Sequence, residues 1–122
     1  MDKTFRRIRR ALISTTLLAA GLVAVPAAPG VARLQPAFPN PFTAGTTLRY
    51  ELSGATRVEL AVYDVSGRLQ KRLDSRAIAV PGSYSVAWDG TDDGGRRVPA
   101  GVYFYRLVTA QGAQTARVVR IQ

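Results

Sequence analysis

The chain has 122 residues, which accommodates one domain with a modest core. It contains no cysteine and no histidine, which excludes disulfide stapling, thiol catalysis, thiolate metal sites and the commonest general base. The formal net charge of +9 points at first to nucleic acid or an anionic surface, a reading that the charge distribution weakens.

Five of the seventeen basic residues, Lys3, Arg6, Arg7, Arg9 and Arg10, stand in the first ten positions. An uncharged apolar run follows from Ala11 to Val25, then a stretch of breakers and small residues from Pro26 to Ala32. This order predicts a secretory signal peptide over residues 1–32, helical in its apolar part and cleaved after Ala27 or Ala32. An uncleaved membrane anchor is the competing reading, but Pro26, Pro29 and two glycines shorten the usable helix. The expected destination is export: periplasm in transit, then the cell surface or exterior. Membrane contact is confined to the signal peptide before cleavage.

Residues 33–45 form a proline-rich lead-in, expected to be extended. Over residues 46–122 the dominant signal is period-two alternation. Thr46, Leu48, Tyr50 and Leu52 share one face of a predicted strand, and Val58, Leu60 and Val62 share one face of the next. The turn Val65-Ser66-Gly67 leads to "RLQKRLD", with a further short strand expected at Ala77 to Val80. Pro81-Gly82 precedes a strand carrying Tyr84, Val86 and Trp88 on one face. "DGTDDGG", Asp89 to Gly95, is a dense turn segment. Pro99-Ala100-Gly101 starts "GVYFYRLV", which places Tyr103, Tyr105 and Leu107 on one face and Val102, Phe104, Arg106 and Val108 on the other. Apolar residues on both faces predict a central strand, with Tyr103 and Tyr105 turned inward near Trp88. "TARVVRI" closes the set. Six to seven short strands predict an all-β, small immunoglobulin-like antiparallel sandwich.

Chemical machinery is sparse. Asp89, Thr91, Asp93 and Gly94 resemble the start of a calcium loop, but the twelfth position is Ala100 rather than glutamate. A strand-connecting loop accounts for the same residues. No histidine activates a serine, and Lys71 is the sole lysine beyond residue 32. From Arg33 onward twelve basic and seven acidic residues leave a net +5. Those arginines are dispersed along predicted strands (Arg49, Arg57, Arg68, Arg106, Arg117), whereas phosphate binding needs clustered charge. No catalytic group, cofactor, metal or nucleic-acid partner is therefore expected.

Several motifs in order carry a resemblance. They are Asn40-Pro41-Phe42, then Tyr63-Asp64 with Gly67-Arg68, then Trp88-Asp89-Gly90 with Asp92 and Gly95, then Gly101 with Tyr103 and Tyr105. This pattern resembles the C-terminal sorting domain (type A) of proteins exported by the type IX secretion system. It is equally similar to the immunoglobulin-like domain of the flagellar hook-capping protein. The resemblance covers residues 36 to 122. It implies a non-catalytic sorting module, read by an outer-membrane secretion translocon, or alternatively a structural or adhesive module that binds another extracellular protein. It also implies that recognition falls on the last strand, at Arg117, Val118, Val119, Arg120 and Ile121. In the sorting family the domain follows a larger cargo; here the predicted leader runs almost directly into it.

Overall fold

The computed structural model describes residues 31–122. The expected signal peptide lies outside the described residues, apart from its last two positions. Seven antiparallel strands form two sheets. The first sheet runs in the order β1 (Ala32–Leu34), β2 (Thr46–Leu52), β5 (Gly82–Trp88). The second runs β4 (Leu69–Ala79), β3 (Thr56–Tyr63), β6 (Gly101–Thr109), β7 (Gly112–Arg120). The immunoglobulin-like sandwich read from the alternation is the fold observed.

The core is built as the pattern dictates. Leu48, Tyr50 and Leu52 from β2 and Val58, Leu60 and Val62 from β3 are buried, with Trp88, Tyr103, Tyr105, Leu107 and Val118. The intervening Arg49, Glu51, Arg57 and Glu59 are exposed. "GVYFYRLV" is the central strand β6, flanked by β3 and β7. Trp88 packs edge-on against Tyr103, with centroids 5.6 Å apart, and against Phe42 at 5.3 Å. At about 25 cal/mol per Å2, each aromatic that buries about 200 Å2 contributes roughly 5 kcal/mol before entropy is charged. Each buried tyrosine hydroxyl still finds an acceptor: Tyr50 donates to Asp74 Oδ2, Tyr103 to the Pro99 carbonyl and Tyr105 to the Gln35 carbonyl. Unpaired, each would cost more than the bond returns.

Two segments differ from the sequence expectation. "RLQKRLD" and Ala77–Val80 are not separate strands, because Leu69–Ala79 runs as one strand against β3. Register shifts along the β3–β4 pair put irregular steps into that ladder. Ser75 to Ile78 is exposed on both faces, so the alternation that marks a strand in sequence is missing there. The lead-in is extended at its start, but it bends at residues 39–41 and again at residues 43–44, and it is structural rather than a linker. Ala32–Leu34 pairs with β2, Phe38 bridges to Thr47, and Phe42 is one of the most deeply buried side chains.

Candidate recognition surface at the final strand

β7 is an edge strand, and an exposed edge is the usual place for a partner strand to add. Here the C-terminal half of that edge is already taken by the lead-in. The Phe42 N–H donates to the Val119 carbonyl at 2.9 Å, and the Ile121 N–H donates to the Phe42 carbonyl at 2.8 Å. The side chain of Asn40 extends the same ladder. Its amide nitrogen donates to the Arg117 carbonyl at 3.2 Å, and its oxygen accepts the Val119 N–H at 2.9 Å. The Asn-Pro-Phe motif is therefore a short strand substitute laid along β7, anchored by the Phe42 ring against Trp88.

The five residues expected to carry recognition divide by their side of the sheet. Val118 is fully buried in the core, and Arg120 is turned inward with 9% of its surface exposed. Arg117 and Ile121 face solvent, and Val119 is half-buried. The Arg120 guanidinium donates to the Val98 carbonyl at 3.0 Å, while its Nε has no partner. No carboxylate among the described residues pairs with it. A partner that reads this end directly meets the side chains of Arg117, Val119 and Ile121.

The other motif residues hold the ends of the sandwich. Asp64 accepts the backbone N–H of Ser66 and Arg68 and the Arg68 Nε, all within one turn. The Arg68 N–H, with the Ser66 N–H and the guanidinium, holds its carboxyl below the usual carboxylate range. Gly67 in that turn has a φ of 83°, which an L side chain resists. In "DGTDDGG" each aspartate serves the backbone. Asp89 accepts from the Thr91 N–H and hydroxyl, and Asp92 from the Gly94 and Arg96 N–H. Asp93 fastens the loop to β4, accepting the Arg72 N–H while its own N–H donates to the Gln70 carbonyl. Lys71 Nζ reaches Thr91 Oγ1 and the Asp92 carbonyl, both at 3.4 Å. Gly90, with a φ of 77°, lies against Arg120 and the Phe42 ring, where a β-carbon would stand 3.4 Å from each. The turn reading accounts for all three carboxylates of this loop.

These joints bring sequence-distant motifs to one end of the sandwich, with Phe42 and Trp88 in contact and Gly90 against Arg120. The family model of the FlgD Ig-like domain matches residues 40–113, from the Asn-Pro-Phe segment into β7. The chain belongs to the FlgD Ig-like domain family. Among solved structures, this FlgD Ig-like domain is similar to dimeric latent PorU from Porphyromonas gingivalis. Identity is 25% and the TM-score 0.63, over 81% of this chain and 10% of that one. PorZ, described as an essential bacterial surface component of the type-IX secretion system of Porphyromonas gingivalis, shares the fold. There the values are 21% identity, TM-score 0.51, and 73% and 11% of the two chains. FlgD from P. aeruginosa also aligns, at 27% identity and TM-score 0.47, over 62% of this chain and 58% of that one. The chain thus spans about a tenth of the length of PorU and PorZ. No curated protein matches it.

One feature of the closed sandwich carried no sequence signal. The Gln114 side-chain amide pairs with the free edge of β1, accepting the Leu34 N–H at 2.8 Å and donating to the Ala32 carbonyl. An exposed glutamine in a polar hairpin reads as solvated until β1 is known to lie beside it.

Proposed function

We propose that this FlgD Ig-like domain is a non-catalytic protein-interaction module that acts as an address for export across the outer membrane to the cell surface or exterior. The observation that carries the reading is the joining of Asn40-Pro41-Phe42 to the last strand. Through it the family's first motif holds the terminal strand in a fixed register. The motif series from Asn40 to Tyr105, which resembles the type IX sorting domain, supports a type IX context. The carboxylates of the richest acidic loop are spent on backbone donors, which supports a scaffold rather than a catalyst. The basic and apolar segment before residue 33 supports delivery to the periplasm by a cleaved signal peptide. The translocon contact in this reading is the surface formed by Arg117, Val119 and Ile121.

The test is a reporter fused ahead of residues 31–122 and expressed in cells with and without a type IX translocon. Export that depends on the translocon and on an intact Asn40–Val119 joint is expected. Export that persists without the translocon overturns the sorting reading. The family match favours a second reading, a structural or adhesive module of the hook-capping type. Under it, the domain is retained on an extracellular assembly, and a pull-down recovers a filament or surface protein.

A further inference from the structure

The outer face of the four-stranded sheet is not uniformly polar. Cross-strand register sets Tyr63, Phe104 and Arg117 in one row, and Arg72, Ala61, Arg106 and Thr115 in another. The turn after β3 rises beside the first row, with Val65 71% exposed at its crest. Between turn and sheet lies a shallow depression of about 390 Å3, lined by Tyr63, Asp64, Val65, Phe104, Arg106 and Thr115 among others. Phe104 and Tyr63 are half-buried rather than covered, and Arg72, Arg106 and Arg117 are exposed. Among the described residues none of these three arginines has a carboxylate within salt-bridge distance. The acidic side chains here are Glu59 on the sheet and Asp64 in the turn; Asp64 lines the depression with its charge paired to Arg68 at 3.0 Å.

The spacing of the cations selects a partner. Arg106 and Arg117 are diagonal neighbours on adjacent strands, because Arg106 pairs with Thr115 and Arg117 stands two residues further on. Such diagonals are separated by roughly 7 Å. Alternate residues of an extended peptide are also about 7 Å apart and point the same way. Two carboxylates at positions i and i+2 therefore meet two guanidinium groups at once. Phe104, the cross-strand partner of Arg117 and two residues before Arg106 on β6, gives the peptide backbone between the two carboxylates an apolar floor.

We infer that this face docks an extended acidic segment of a partner protein, its alternate carboxylates on Arg106 and Arg117 and its intervening backbone over the Phe104 ring. The inference deepens the reading of the domain as a protein-interaction module and needs no translocon. Its test is separable: purified full-length chain is titrated against a fluorescein-labelled Ser-Ser-Glu-Ser-Glu-Ser-Ser peptide and against the same peptide with lysine for glutamate. Binding of the acidic peptide alone is expected, with amide resonances shifting on β3, β6 and β7. The double variant Arg106→Gln/Arg117→Gln weakens it by about tenfold, the scale of two partly exposed ion pairs. Phe104→Thr weakens it by about fivefold through lost apolar contact. Arg49→Gln, on the other sheet, leaves binding unchanged, and thermal melts confirm that each variant is folded. Equal loss in Arg49→Gln, equal binding of the lysine peptide, or resonance shifts confined to other strands overturn the inference. So does capture by heparin without peptide binding, which marks the face as a polysaccharide site. If peptide binding is as expected but reporter export ignores the translocon, the sorting reading falls and this surface stands.

Discussion

Asn40 and Val119 are joined as though they were neighbours in a sheet. The side-chain oxygen of Asn40 accepts the Val119 N–H at 2.9 Å, and its amide nitrogen returns a bond to the Arg117 carbonyl. A residue of the lead-in thus closes the edge of the last strand.

Asn40→Ala removes both bonds while leaving the Phe42 ladder in place. A loss of about 1–2 kcal/mol follows from two net hydrogen bonds, read as a lower urea midpoint at constant slope. Hydrogen exchange at the Val119 amide speeds up by more than exchange at Leu60, which lies in β3. Unchanged Val119 protection shows that the joint is not formed in solution.

Arg120 is a buried cation without a carboxylate partner among the described residues, and its Nε is unsatisfied there. Desolvating a guanidinium costs several kcal/mol, more than a single bond to the Val98 carbonyl returns, so a well-packed apolar replacement is tolerated. Arg120→Met is expected to stay within about 1 kcal/mol of the parent or to exceed it. Arg120→Ala leaves a cavity against Phe42 and Gly90 and costs about 2–3 kcal/mol. Denaturant unfolding of the two variants checks both values. A Met variant that falls as far as the Ala variant shows that the charge itself is required.

Trp88 is the single tryptophan of the chain. It lies between Phe42 and Tyr103, and its indole N–H donates to the Thr91 carbonyl at 2.9 Å. Trp88→Phe forfeits that bond and part of the packing. Trp88→Ala opens the core for about 3–5 kcal/mol, which consumes much of the stability of a domain this size. Thermal unfolding followed by circular dichroism reads the order: parent, then Phe, then Ala.

Stability is expected to fall at both ends of the pH scale. Backbone N–H donors, Arg68 to Asp64 and Arg96 to Asp92, depress these carboxyls, and the Thr91 hydroxyl depresses Asp89. A depressed folded pKa gives stability that is complete above the unfolded value of about 3.9 and is lost as pH falls through the folded one. Burial raises Tyr50, Tyr103 and Tyr105, with the Asp74 carboxylate adding to the effect at Tyr50. A raised folded pKa gives stability that is complete below about pH 10 and is lost as pH rises further. Urea midpoints measured from about pH 2 to 11, a range that brackets both unfolded values, check this. Asp64→Asn flattens the acid limb, and a limb unchanged by that substitution assigns the effect to other carboxylates.

The sequence by itself determined the class of fold and the inward faces. Alternation in "TTLRYEL", "RVELAVYD" and "GVYFYRLV" is a local property of the backbone pleat, so it is visible without partners. Aspartates and glycines marked the turns for the same reason, because their hydrogen bonds and φ angles are spent within a few residues. Tertiary structure decided whatever depends on chain segments far apart. It laid Asn40 and Phe42 along β7, about eighty positions away in the sequence. It turned Val118 and Arg120 inward out of a strand expected to present both. It also gathered Arg72, Arg106 and Arg117, dispersed in the sequence, onto one face beside Phe104. Strand pairing sets such neighbours through register, and register is fixed by the whole packed sandwich rather than by any one strand.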